Sequence, residues 1–432
     1  MTYNFEKQKE LLLSFIKNGE KEKSDFKLGL EMEHFILWKD TLGAVPYTGD
    51  QGISGILQEL SKGDWSPLYE GQHLLGAVGK EANLSLEPGG QLEISIFPYQ
   101  SLEKIDQIYR KFLQQLIPIL DRRKMVLMAT GYQPESRIEE IELLPKKRYY
   151  YMFKYFFDKG LYAHNMMKGT ASTQINLDYS DQEDYRKKVR VAAFLSPLVY
   201  TIFDNSPFFK GEVYAKTSLR SLIWYNCDRE RCGLPAIFFQ NDYGYADYAE
   251  YLLAIPPIII KRGQELLFTA AKKLAEVFDP ANYTEQEIWQ FFTMVFPDIR
   301  TKKYIEIRMG DSLPYPYNLA YLAFWKGLLY DQTNLQKIDD RAKEFLASDL
   351  LRLRQEMIEH GPQASYGRQS IFELMEELLI MAKRALNPSE KKYLAALIEL
   401  VAARQTPRSK SLARLSEGKN KALRWCQLTE GG

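Results

Sequence analysis

Cysteine and histidine are scarce in this sequence: three and four residues out of 432. Cys227, Cys232 and Cys426 are too few, and odd in number, for a disulfide framework, and imply a reduced intracellular protein. Cys227 and Cys232 frame CDRERC, whose spacing suits neither a zinc knuckle nor a C-x-x-C redox pair. His34, His73, His164 and His360 form no H-E-x-x-H, so a zinc site is not expected. There is no G-x-x-x-x-G-K-[ST] loop and no G-x-G-x-x-G at a strand–helix turn, which excludes the common nucleotide motifs. Charge is balanced at 57 basic against 56 acidic residues, so no global field favours nucleic acid or an anionic membrane. No apolar run is long enough to span a bilayer, and the most apolar short stretch, YLLAIPPIII, is broken by Pro256 and Pro257. The N-terminus, MTYNFEKQKELLLSFIKNG, lacks a basic-then-apolar signal pattern and reads as an amphipathic helix ending near Gly19. These absences predict a soluble, cytoplasmic protein.

What is present is a period-two pattern in four separated segments, each with an apolar and a polar face. In FKLGLEMEHFIL, Leu28, Leu30 and Met32 share one face and Glu31 and Glu33 the other. Two glutamates so placed sit roughly 7 Å apart, and repel by ~2 kcal/mol at an effective dielectric near 20. In LSLEPGGQLEISI, Leu84, Leu86, Leu92, Ile94 and Ile96 oppose Glu87, Gln91 and Glu93, with Pro88-Gly89-Gly90 suggesting a bulge or a close backbone approach. ASTQINLD places Ser172, Gln174, Asn176 and Asp178 on its polar side. In KKYIEIRMG, Ile305 and Ile307 oppose Glu306 and Arg308.

Helical patterns lie between these segments, over Ser101 to Lys124 with a weak N-cap at Ser101, and over Gln182 to Phe203. After about Leu313 the pattern is helical throughout, broken at Gly361-Pro362 and Asn387-Pro388. Widely separated strands predict an α+β fold with a largely antiparallel sheet, one face on helices and the other polar. We expect one catalytic unit over residues 1–432, with a sheet-bearing core to about residue 312 and a mostly helical region over 313–432.

If the strands share a sheet, Glu31, Glu33, Glu87, Glu93 and Glu306 converge, and such a set requires cations. Oxygen-only ligands without histidine favour Mg²⁺ or Mn²⁺, and sites of that kind usually also hold nucleotide phosphates. Arg308, on the same face as Glu306, would then meet a transferring phosphoryl group. The alternative is that the glutamates line solvated faces of unrelated strands. Arg122-Arg123-Lys124 and Lys146-Lys147-Arg148 read as solvated helix ends or loops, and the basic tail from Arg408 to Lys421 has too few aromatics for nucleic acid.

These segments together resemble the plant-type glutamate–cysteine ligases, a family also found in many bacteria and related in fold to glutamine synthetase. GLEMEHF is similar to the family's first strand, and SLEPGGQLEIS is the most specific match. GYQP, LPKKRYYYM, MMKGTASTQINLD, NSPFFKGE, SLRSLIW, KKYIEIRMGD and QTPRSKSLARL follow in order, so the resemblance spans nearly the whole chain. It implies a glutamine synthetase-like α+β fold. It also implies that ATP phosphorylates the γ-carboxylate of L-glutamate and that the amine of L-cysteine attacks the γ-glutamyl phosphate, the first step of glutathione synthesis. On that reading Glu31, Glu33, Glu87, Glu93 and Glu306 hold Mg²⁺ and Arg308 stabilises the transferring phosphoryl. Arg220 is the candidate clamp for the glutamate carboxylate; Gln174 and Asn176 orient substrate, and Lys80, after the glycines of LLGAVGK, approaches the nucleotide. The sequence departs from the pattern at Met32, where histidine is common, and at Lys168-Gly169, where an arginine is expected near the substrate strand. The second departure leaves open a γ-glutamyl ligase using another amine. A catalytically silent binding relative is the alternative of another class.

Overall fold

The strand carrying GLEMEHF is the spine of the computed structural model, which describes residues 3–263 and 265–432; Met1 and Thr2 of the leading stretch lie outside them. The main sheet contains β1 (Leu28–Trp38), β2 (Ser66–Glu70), β3 (His73–Val78), β4 (Ala82–Leu86), β5 (Leu92–Tyr99), β6 (Met125–Met128), β7 (Thr173–Leu177), β8 (Ile299–Thr301) and β9 (Ile305–Ile307). Their order is β8-β9-β7-β1-β5-β4-β3-β2, with β6 paired to the far end of β1, and every pairing is antiparallel. All four alternating segments therefore enter one sheet, an α+β arrangement with helices on its apolar face.

The expected parities hold in β1. Leu28, Leu30 and Met32 are buried while Glu31 and Glu33 are half-buried on the opposite face. The apolar side packs on the helices Leu102–Arg122 and Tyr317–Leu329, where Tyr109 Oη lies 2.9 Å from His34 Nε2 and Asn318 Nδ2 lies 3.2 Å from Met32 Sδ. Met32 thus faces the core. Ser101 caps the first of these helices by accepting from the Lys104 amide. The helix Gln182–Ile202 is buried without interruption from Lys188 onwards, as expected of a helix enclosed on all sides.

LSLEPGGQLEISI is not one bulged strand but a hairpin. β4 and β5 pair antiparallel, and residues 87–91 form the turn, closed by Glu87 N donating to Gln91 O and Gly90 N to Glu87 O. Gly90 has φ 81°, which explains a glycine there. The close approach expected at this insert is real: a Cβ on Gly89 would strike the carbonyl of Lys168. Gln91 Nε2 locks the turn by donating to Thr170 O at 2.8 Å.

After Ser312 the chain forms helices and a two-residue strand pair, Ser365–Tyr366 with Gln369–Ser370. Its end returns to the sheet, with Ala129 N donating to Cys426 O and Leu428 N to Leu127 O, both 2.9 Å. Among the described residues no helix is long and apolar enough to cross a membrane.

The Gly89–Lys168 contact yields a prediction. Gly89→Ala should destabilise the fold by ~1–3 kcal/mol through overpacking, read as a lower urea midpoint at unchanged slope. An unaltered midpoint would show that the turn has room to relax.

Candidate active site

Strand pairing places the polar residues next to one another across the sheet. Glu33 on β1 stands opposite Glu93 on β5, Glu31 opposite both Ser95 and Gln174, and Asn176 on β7 opposite Glu306 on β9. Directly opposed residues have Cβ atoms ~5 Å apart, so Glu33 and Glu93, both ionised, would repel by roughly 3 kcal/mol at an effective dielectric near 20. The hairpin turn brings Glu87 to the same place.

These groups form the floor of a cavity of about 260 Å³. Glu31, Glu33, Glu87 and Glu93 line it, with Gln174, Arg220 and Arg308 of the expected set. Three helices close over it: Lys147–Tyr155, Ala163–Gly169 and Leu219–Tyr225. They contribute a wall of Met152, Met166, Met167 and Trp224.

Three of the four carboxylates are held by neighbours on or beside the sheet, and Glu87 accepts from Tyr149 Oη of a covering helix at 3.4 Å. Glu33 accepts from the Ser172 amide at 2.7 Å and from Gln174 Nε2 at 2.8 Å. Glu31 accepts from Asn176 Nδ2 at 2.7 Å, and Glu93 from Ser85 and Ser95 hydroxyls at 2.9 and 2.8 Å. Hydrogen bonds do not offset the charge. Removal from water, then Glu87 and Glu93, pushes the Glu33 carboxyl up to about 8. Removal from water, then Glu306 and Glu93, pushes Glu31 up to about 7. Glu93 is raised as well, by burial and by Glu87.

Glu306 differs. It is fully buried and lies behind the cavity wall, with both oxygens engaged: Lys302 Nζ at 2.6 Å, Arg300 Nε at 2.6 Å and Arg308 Nη1 at 2.9 Å. Burial alone would raise its carboxyl, but these three cations hold it well below the usual carboxylate range. The expectation that Glu306 stands with the other four as a metal ligand is corrected on this ground: it is absent from the cavity lining and is already held by three cations. Arg308 spans Glu306 and Gln174 Oε1 (2.6 Å) and lies 5.9 Å from the Trp224 ring.

Two other readings are corrected. Lys80 is exposed at the turn between β3 and β4 and lines a separate cavity with Asp64, Trp65 and Lys111, so it does not reach the acidic floor. Lys146 and Arg148 are not solvated: both line the acidic cavity, and Arg148 is anchored on Thr293 through Oγ1 at 3.1 Å and O at 2.9 Å. Arg300 also lines it. Nothing in local periodicity marks Lys146 and Arg148, since they sit at the start of a short helix; LPKKRYYYM drew notice only through resemblance. Gly169 has a steric reason, because a Cβ there would lie 2.6 Å from the Tyr132 ring. Lys168 turns away from the cavity and donates to Ile141 O at 2.9 Å. Cys227 and Cys232 are buried and free, and burial pushes both thiols up, so neither is a ready nucleophile.

The donor chemistry fits a hard divalent cation: glutamate oxygens alone, half-buried, with charge the protein leaves uncompensated at Glu33. Among the described residues no three carboxylate, histidine or cysteine side chains are already drawn together around one point. The rim carries Lys146, Arg148, Arg220, Arg300 and Arg308, enough positive charge for a polyanion above the acidic floor.

A family model described as glutamate-cysteine ligase family 2 matches residues 27–423. The chloroplastic glutamate–cysteine ligase of Nicotiana tabacum is 29% identical over 422 residues, covering 95% of this chain and 80% of that protein. The Arabidopsis thaliana chloroplastic ligase is 30% identical over 417 residues, covering 94% and 79%. Ligase B of Oryza sativa subsp. japonica is 30% identical over 400 residues, covering 91% and 80%. A crystal structure of glutamate–cysteine ligase from Francisella tularensis in complex with AMP superposes with a TM-score of 0.59 at 13% identity, covering 93% of this chain and 87% of that one, which shows a shared fold. The expectation of a cytoplasmic location is overturned by these relatives, which are chloroplastic proteins by name.

The raised carboxyls predict a pH dependence. Ordinary glutamates ionise near ~4.3, so from about pH 5 to pH 8 the folded protein keeps protons at Glu31 and Glu33 that the unfolded chain has released. These groups therefore lower stability as pH rises through that window. Without divalent ions, melting temperature should fall between about pH 5.5 and about pH 8.5, and Glu33→Gln should flatten the slope. An identical fall in the variant would contradict the assignment.

Proposed function

Because the chain belongs to glutamate-cysteine ligase family 2, we propose that this cavity joins the γ-carboxylate of L-glutamate to the amine of L-cysteine, with ATP as the phosphoryl donor. The observation that carries the reading is the meeting of five cations, Lys146, Arg148, Arg220, Arg300 and Arg308, with four glutamates in the lining of one cavity. A carboxylate is a poor electrophile until one oxygen becomes a phosphate leaving group. A γ-carboxylate oxygen attacks the γ-phosphorus of ATP and ADP departs. The cysteine nitrogen then attacks the acyl carbon, phosphate leaves, and the nitrogen loses a proton. Little covalent work falls to the protein, which aligns reactants and balances charge.

Arg308 meets the transferring phosphoryl on this reading; its Nη1 donates to Glu306 and Gln174 while the side chain lines the cavity. Glu306 acts through Arg308, Arg300 and Lys302, keeping three cations at the wall. Lys146 and Arg148 supply further positive charge for nucleotide phosphates. Arg220, on the same wall, is the group for the glutamate carboxylate, with Gln174 and Asn176 fixing the carboxylates of β1. Glu31, Glu33, Glu87 and Glu93 would hold Mg²⁺ or Mn²⁺. Such an ion neutralises phosphate charge and so makes ADP a better leaving group. Met152, Met166, Met167 and Trp224 form an uncharged wall suited to a thiol side chain and not to a charged one. The return of the C-terminal segment onto β6 supports reading residues 1–432 as one catalytic unit.

The test is ADP release by purified protein given ATP, Mg²⁺, glutamate and a panel of amines. Cysteine should be the best acceptor, and excess EDTA should abolish turnover. Arg308→Ala should lower kcat by ~100-fold or more with the fold intact. Preference for another amine, or turnover surviving EDTA, would defeat the corresponding part of the reading.

A further inference from the structure

Arg220 is unusual among the rim cations in having its surroundings built by short segments from all over the chain. Its Nη1 donates to Met309 O and Gly310 O, both at 3.0 Å, and to Asp311 Oδ1 at 3.2 Å; its Nη2 donates to Arg308 O at 3.3 Å. Nε has no partner. The edge formed by Nε and the second Nη2 hydrogen is therefore uncommitted, and that edge grips a carboxylate side-on with two hydrogen bonds.

Asp311 is buried, and its other oxygen is fully used: the Asn205 amide donates to Oδ2 at 2.7 Å and the Ser206 hydroxyl at 2.6 Å. Asn205 is fixed in turn by Nδ2 donating to Ala129 O at 2.8 Å and Ser312 O at 3.0 Å. Gly131 leaves the space this needs, since a Cβ there would overlap Asp311 Oδ2 and Ser206 Oγ. The backbone of Arg220 is held by a second buried acid. Ser218, which starts its helix, has φ 51°, a region an L-residue avoids, and its amide donates to Asp204 Oδ2 at 2.8 Å. Asp204 is tied to the C-terminal segment, its carbonyl accepting from Arg408 N at 2.7 Å.

We propose that Asp311 is the positioning residue for Arg220, the anchor through which GYQP, NSPFFKGE, SLRSLIW, KKYIEIRMGD and QTPRSKSLARL act together. Asp311 touches no reactant. It fixes the plane of the guanidinium, so that a carboxylate entering the cavity meets a group already oriented. GYQP, NSPFFKGE and QTPRSKSLARL contribute no side chain to the cavity lining, and their packing around Asp311 and Asp204 is what links them to it. The proposal rests on the ligase reading only in naming glutamate as the carboxylate that Arg220 receives.

Asp311→Asn keeps the shape and removes the charge. It should raise KM for glutamate by about tenfold or more, leave KM for ATP and cysteine within about twofold, and lower kcat less than it raises KM. A merely structural role would move all three KM values and the melting temperature together. Arg220→Lys should show the same split, and the double variant should be no worse than Arg220→Lys alone, because the two residues act as a unit. If Asp311→Asn does not fold, Ser206→Ala removes one hydrogen bond from Asp311 and should still raise KM for glutamate severalfold. An unchanged glutamate KM in a folded variant, or additive effects in the double variant, would overturn the proposal. A wild-type protein without glutamate-dependent ADP release would sink the ligase reading instead. Calorimetric binding of glutamate to wild type and Asp311→Asn would then still decide the role of Asp311, equal affinities counting against it.

Discussion

Glu33 and Glu93 face each other across adjacent antiparallel strands, on the side of the sheet that the closing helices remove from water. Like charges in that position are unfavourable in a sheet, and most of the surrounding architecture offsets them. Serine, asparagine and glutamine side chains on β4, β5 and β7 donate to the carboxylates. Arg220 and Arg308 stand near enough to pull the Glu33 carboxyl down, though burial and the neighbouring glutamates outweigh them. The remaining imbalance is met by protons, which is why the Glu31 and Glu33 carboxyls are raised.

The five glutamates do not form a uniform set. At the β9 edge, Glu306 has three cations of its own and remains ionised. At the β1–β5 seam, the acids outnumber what the protein supplies. The cleft thus separates into a wall where cations outnumber the acid they share and a floor where acids outnumber the groups that offset them. The first provides rigid guanidinium groups aimed at an anionic reactant. The second provides carboxylate oxygens whose charge the protein itself does not offset. Both are built on the polar side of one sheet, which keeps them within reach of one another without a mobile element between them.

Much of this was legible from period-two alternation. The four strand segments, the faces of Glu31, Glu33, Glu93, Gln174, Asn176, Glu306 and Arg308, and the inward-facing Met32 all follow from parity alone. Three features did not follow. Pro88-Gly89-Gly90 reads as a bulge or a close backbone approach, and only strand pairing shows that it is the turn of a hairpin. Lys146 and Arg148 begin a short helix far from β1 in sequence, where a basic cluster looks the same whether it meets water or phosphate. Lys80, after the glycines of LLGAVGK, reads as facing the nucleotide, and only the fold shows it beside a separate cavity.

The sequence by itself determined which side chains share a face and which chemistry that face can perform: acidic oxygens, a guanidinium, and no histidine or thiol in attacking position. Alternation is a local property of the extended chain, so it survives any later packing. Only the tertiary structure decided which acids are neighbours, which already have counter-ions, and which segments hold Arg220 still. Those facts depend on distance and burial: the neighbours of Glu33 and Arg220 come from segments well separated in sequence, and even the cations of Glu306, which lie within a few residues of it, are counter-ions only because folding buries them together.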